Sequence, residues 1–166
     1  MNQIALDWDT VKTAYPMRPL TGPLQAFMDG LGPGNTPCCV QMSHALGVAG
    51  CVIPGRSNRR HTASITTSAG RMNYLLAVDE VKWFLEDNYG MGDEISRGPN
   101  GSRLTNIRDM TSVLSGRTGI LVFSNLRYGA HTELWDVDHM HQRDISPAVF
   151  NQPQVWFWDV MLTAVV

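Results

Sequence analysis

A chain of 166 residues can bury a core without disulfide or metal staples, and it is expected to form one domain spanning 1–166. Its 13 Lys and Arg against 15 Asp and Glu give a net charge of −2, which supplies no electrostatic footprint for nucleic acid and no basic surface for a membrane. Three cysteines, two of them adjacent, argue against a disulfide framework, and no apolar run approaches the ~20 residues of a membrane span.

The opening M-N-Q-I-A-L-D-W-D is acidic where a secretory signal needs a basic segment followed by an apolar one. Synthesis in the cytoplasm without a signal peptide is therefore expected, with some other route serving any export. Trp8, Val11 and Tyr15 follow helical spacing after Asp7, and that helix should end before Pro16. Leu24, Phe27, Met28 and Leu31 repeat the spacing after Pro23 and run into the turn-rich segment Gly30 to Gly34.

A third helix is predicted from Asn35 to Gly50, with Thr36 as N-cap and Pro37 at its first position. Cys38 then falls in the first turn, where main-chain N–H groups are unpaired and the helix dipole is positive. A thiol so placed ionises more readily, and the thiolate is the reactive form. At about 100° per residue, Met42, Ala45 and Ala49 share its side of the helix, so Cys38 tops the buried face. A small buried hydrophobe would occupy the same place, and Cys39, about 100° round the helix, is the alternative nucleophile.

From Val52 to Gly70 the chain is rich in Ser, Thr, Arg and Gly and reads as loop, with Arg56, Arg59, Arg60 and His61 as a solvated basic cluster. Tyr74 to Val78 suggests a short strand, and Asp79 is the expected cap of a helix carrying Val81, Phe84, Leu85 and Tyr89. Leu104, Ile107, Met110 and Leu114 suggest another, stopped at Gly116. The last third is strand-rich: Gly119 to Phe123 is apolar throughout, followed by His131 to Val137, about Met140 to Ile145, and Val155 to Leu162. Helices first and strands afterwards predict an α+β fold, with N-terminal helices packed on a C-terminal antiparallel sheet.

That order sets the Cys38 helix against a sheet that can present His131, placed at the start of its strand to take the thiol's proton. Alternation puts His131, Glu133 and Trp135 on one face of the strand, and Thr132, Leu134 and Asp136 on the other. A third group, fixing the imidazole tautomer, is sought on the next strand opposite His131, where Asp144 is preferred and Gln142 is the alternative. A metal reading of His139 and His141 with His131 or Asp138 competes, but no H-E-x-x-H or paired C-x-x-C supports it, and neither metal nor cofactor is expected.

With both halves of the site in place, the chain resembles the type VI secretion amidase effectors of family four, papain-like and NlpC-related cell-wall peptidases. Cys38, Val40, Met42, Ser43, Ala45, Leu46 and Gly50 match the family's nucleophile motif, and Gly119 to Phe123, Gly129, His131, Leu134, Trp135 and Asp136 match its histidine motif. Y-L-L-A-V-D-E-V-K-W-F-L and Val155 to Trp158 resemble its intervening segment and closing strand. Gln41 and Gly47 stand where the family has Arg and Asn, and Ala130 separates Gly129 from His131. Gln142 fits the family's spacing for the third residue, whereas Asp144 fits its chemistry.

The resemblance implies a papain-like cysteine peptidase that cuts peptidoglycan stem peptides between D-glutamate and meso-diaminopimelate. It implies an antibacterial toxin delivered by the type VI apparatus into a rival's periplasm and neutralised in kin by a cognate immunity protein. Trp135 and Gln41 are the candidate substrate-binding residues. Other papain-like hydrolases or acyltransferases, such as a phage lysin or a deamidase, and a catalytically decayed binding module share the same residues and remain as alternatives.

Overall fold

The computed structural model describes residues 3–33, 35, 37–56, 61–125 and 129–161. In chain order its first half runs β1 (Gln3–Ile4), α1 (Trp8–Ala14), α2 (Gly22–Leu31), α3 (Cys38–Val48), β2 (Thr62–Thr67), β3 (Gly70–Leu75) and α4 (Val78–Tyr89). The second half runs β4 (Asp93–Glu94), α5 (Ile107–Leu114), β5 (Arg117–Ser124), β6 (Gly129–Val137), β7 (His139–Met140), a 3-10 turn (Pro147–Asn151) and β8 (Gln154–Val160). This is the α+β arrangement of helices on a sheet that the order of elements predicts.

The sheet runs β1-β8-β5-β6-β7, with β4 added on β8. It is antiparallel except for the two-residue β1, which runs parallel to β8. β5 lies at its centre, and every residue after Arg117 in that strand is buried, because both faces of the sheet are covered. On one face Ile120, Val122, Leu134 and Trp158 pack with Trp8 and Val11 of α1, Met42 and Leu46 of α3, and Val81 and Phe84 of α4. On the other, Leu121, Phe123, Trp135 and Phe157 pack with Met110 and Leu114 of α5 and with Phe150. A smaller cluster seats Leu24 and Met28 of α2 against Ile65 and Tyr74 of the β2–β3 hairpin.

Local chemistry explains where the helices start and dock. Asp7 caps α1 by accepting from the Thr10 N–H at 3.0 Å. Trp8 Nε1 and Lys12 Nζ then reach Asp136 of β6 at 3.2 and 3.3 Å, which pins α1 to the same strand that carries His131. α3 begins at Cys38 with Pro37 as its capping residue, one position later than expected. Thr36, the expected cap, lies outside the described residues, as do Arg59, Arg60 and Leu162.

Three sequence expectations are corrected. The segment read as loop contains β2, whose T-A-S-I-T-T pairs fully with β3; its polar outward positions disguise a strand that buries only Ile65. Ala77, rather than Asp79, caps α4, and Asp79 with Glu80 lies in the first turn, where carboxylates favour the helix dipole. The strand expected from Met140 to Ile145 ends at Met140. The His141 N–H still bonds the Leu134 carbonyl at 2.9 Å, and the chain then turns away, leaving the edge of β6 uncovered around Thr132.

Gly119 has no room for a side chain, since a Cβ there would lie 2.1 Å from the Trp158 carbonyl oxygen and 2.7 Å from the Phe157 ring. Gly119→Ala must therefore push β8 away from β5. The expected cost is about 1–3 kcal/mol, read as a lower midpoint in urea with an unchanged slope.

Candidate active site

The start of α3 abuts the open edge of β6, and this contact brings Cys38 and His131 together. Cys38 is 2 % exposed and the His131 side chain 12 % exposed, so the pair lies mostly beneath the surface. Several neighbours hold the Cys38 thiol well below the usual thiol range. The first is Cys39, whose sulfur lies 4.0 Å away and acts as donor; the hydrogen bond and charge of His131 and the Thr132 main-chain N–H add to it, and burial opposes all three. The Thr132 N–H is available because β7 stops short and no strand covers that edge. Cys39 is pushed the other way, first by the same hydrogen bond and then by burial.

His131 shifts in the complementary direction. Burial lowers its pKa, but the hydrogen bonds and charges of Cys38 and Glu133 outweigh burial and raise it to about 9. A depressed thiol beside an elevated imidazole favours transfer of the thiol proton to the ring, the direction that activates a cysteine nucleophile. The Nε2 of His131 points to Glu133 Oε2 at 3.4 Å, an ion-pair distance longer than a tight hydrogen bond. A cleft of about 460 Å3, lined by Arg18, Gln25, Met28, Asp29, Asn35 and Pro37, opens at the residue preceding the nucleophile.

The remaining expected site residues lie elsewhere. Asp144 is not the third group: the hairpin that would carry it opposite His131 ends at Met140, and its side chain is 69 % exposed and pairs with Arg18 at 3.5 Å. Gln142 is buried, but its Oε1 accepts from the Arg18 N–H at 2.8 Å and from Gln41 Nε2 at 3.1 Å, and its Nε2 donates to Asp144. Gln41 is likewise no substrate ligand, since it is 1 % exposed and also donates to the Pro16 carbonyl at 2.8 Å. These amides tie α3 to the segment after α1. Trp135 is fully buried beneath α5 with its Nε1 bonded to the Leu114 carbonyl at 3.1 Å, so it is core and offers substrate nothing.

The metal alternative gains no support from placement. His139 pairs with Asp138 at 2.6 Å on the exposed hairpin turn, His141 stacks edge-on against Tyr15, and no cluster of three or more metal-ligating side chains occurs among the described residues. Glu133 is the polar group that sequence reasoning passed over. Its signal was the two-residue spacing from His131 on one strand face.

The family described as type VI secretion system (T6SS) amidase effector protein 4, Tae4, matches residues 35–158. No curated protein matches the chain. Among solved structures, the effector Tae4 from Enterobacter cloacae is similar over 97 % of this chain and 100 % of its own, at 17 % identity and a TM-score of 0.69. The Tae4–Tai4 effector–immunity complex from the same organism gives 19 % identity and 0.68 over 95 % and 100 %. Tae4 from Salmonella typhimurium, in complex with the Enterobacter cloacae immunity protein Tai4, gives 17 % and 0.65 over 94 % and 99 %. At these identities the likeness shows a shared fold.

Proposed function

The chain belongs to the type VI secretion amidase effector 4 family, and from that membership we propose that Cys38 and His131 hydrolyse an amide of the peptidoglycan stem peptide. The observation that carries the assignment is the meeting of a first-turn thiol with a strand-borne imidazole whose pKa values move in opposite directions. The Cys38 thiolate attacks the scissile carbonyl carbon, and the oxyanion is received by main-chain N–H groups of the first turn of α3. The imidazolium protonates the departing amine as the C–N bond breaks. The neutral ring then takes a proton from water, the resulting hydroxide attacks the thioester, and the thiolate is regenerated.

The bond assigned is that between D-glutamate and meso-diaminopimelate, cut by one domain spanning 1–166 in the periplasm of a target bacterium. The related Tae4 structures bound to Tai4 support a cognate immunity protein for this chain as well. Digestion of isolated sacculi followed by muropeptide analysis tests the reading. Expected products are stems ending in D-glutamate together with fragments beginning at meso-diaminopimelate, and expression should lyse cells only when the protein is exported. Intact muropeptides after prolonged digestion, with the thiol still alkylatable, would assign the site to another acyl substrate or to binding alone.

A further inference from the structure

The carboxylate that holds His131 comes from its own strand. We propose that Glu133 is the positioning residue of the site, orienting the imidazole and sustaining its charge from two residues away along β6. This rests on the assignment of Cys38 and His131 as the reacting pair. Glu133 is fully buried in β6, just short of the residues that pair with β7, and an unpaired carboxylate there is costly. One oxygen, Oε1, folds back to accept from the Leu134 N–H at 3.0 Å. The other, Oε2, is shielded from solvent and has no well-formed hydrogen bond of its own, yet it faces His131 Nε2, which is in the same condition.

A third such group, the Tyr15 hydroxyl, meets the same carboxylate. Burial raises the Tyr15 pKa first, and the Glu133 charge and hydrogen bond raise it further. Two buried groups, His131 Nε2 and the Tyr15 hydroxyl, thus gather on one carboxylate at the back of the imidazole, which a protonated ring would partner. The other candidates are occupied: Gln142 bridges Arg18 and Gln41, and Asp144 lies in solvent. An acid two residues along the same strand keeps a fixed relation to the ring whatever the hairpin does. Positioning by the neighbouring strand has no such guarantee here, because β7 ends before reaching that level.

The test is Glu133→Gln, which keeps the shape and removes the charge, set against Glu133→Asp and Asp144→Asn. In a Cys38→Ser background, the His131 ring is titrated by NMR. Glu133→Gln should lower its pKa by roughly 1–3 units, the effect of removing one adjacent opposite charge, and Asp144→Asn should leave it in place. In the active protein, Glu133→Gln should cut kcat by on the order of 10²-fold with KM little changed, and Glu133→Asp should recover part of the loss. The NMR titration needs no substrate, so a failed sacculus assay and a failed positioning role give different results. An unchanged His131 titration in folded Glu133→Gln, or a shift produced by Asp144→Asn instead, would overturn the proposal. If Glu133→Gln does not fold, the Glu133→Asp titration decides: a pKa still elevated supports it, and one at the ordinary histidine value refutes it.

Discussion

Cys38→Ala is expected to leave isolated sacculi undigested, with a rate loss of at least ~10³-fold, because it removes the acidified thiol that faces His131. The discriminating partner is Cys39→Ala. Cys39 is an equally buried thiol whose sulfur sits 4.0 Å from that of Cys38, but its pKa is raised, which makes it a donor rather than a nucleophile. Removing it takes away the largest cause of Cys38 acidity. The acid limb of the activity profile should therefore move to higher pH, while the rate at the optimum falls by less than roughly tenfold. Both variants are read by muropeptide release from sacculi. If Cys39→Ala were as inert as Cys38→Ala while folded, the nucleophile assignment would have to be reversed.

His131→Ala should cost on the order of 10³- to 10⁴-fold in kcat/KM, about 4 to 5.5 kcal/mol of transition-state stabilisation, since one group serves as both acid and base. The wild-type pH dependence follows from the two shifts. Falling pH protonates a thiolate whose pKa lies below the ordinary thiol value, and activity is lost through that limb. Rising pH removes the imidazolium proton at about 9, and the leaving amine loses its acid. Between the two lies the active ion pair, so the profile should be a bell with a basic limb near 9. In His131→Ala that basic limb should vanish, and alkylation of Cys38 by iodoacetamide should require a higher pH. A basic limb that persists in His131→Ala would assign it to another group.

The proposed pair was legible because each member sits at an element boundary with a chemical reason to be there: a thiol in a helix's first turn, and a histidine where a strand begins. The same reasoning placed α1 from Asp7, and the apolar run of β5 announced a strand covered on both faces. Asp144 was misplaced because strand alternation was extended through a hairpin that stops at Met140, and nothing in M-H-Q-R-D announces that Gln142 leaves the sheet to bond Arg18 and Gln41. Gln41 and Trp135 read as ligands because a polar residue on a helix and an aromatic beside a catalytic histidine suggest contact with substrate. Their burial depends on tertiary partners, the Pro16 carbonyl and α5, that no local pattern contains. Glu133 was visible on the correct face beside His131, but a second strand was expected to supply the acid.

The thiol enters with the third helix, whereas the ring that activates it arrives only with the sixth strand, after most of the chain has been made. Cys39 lies in α3 itself, but the ring and the Thr132 N–H come only with β6, so the full activation of the sulfur is acquired late, when long-range contacts close. The rate at which Cys38 becomes alkylatable after dilution from denaturant, at a pH where ordinary thiols stay protonated, is then a clock for completion of the fold.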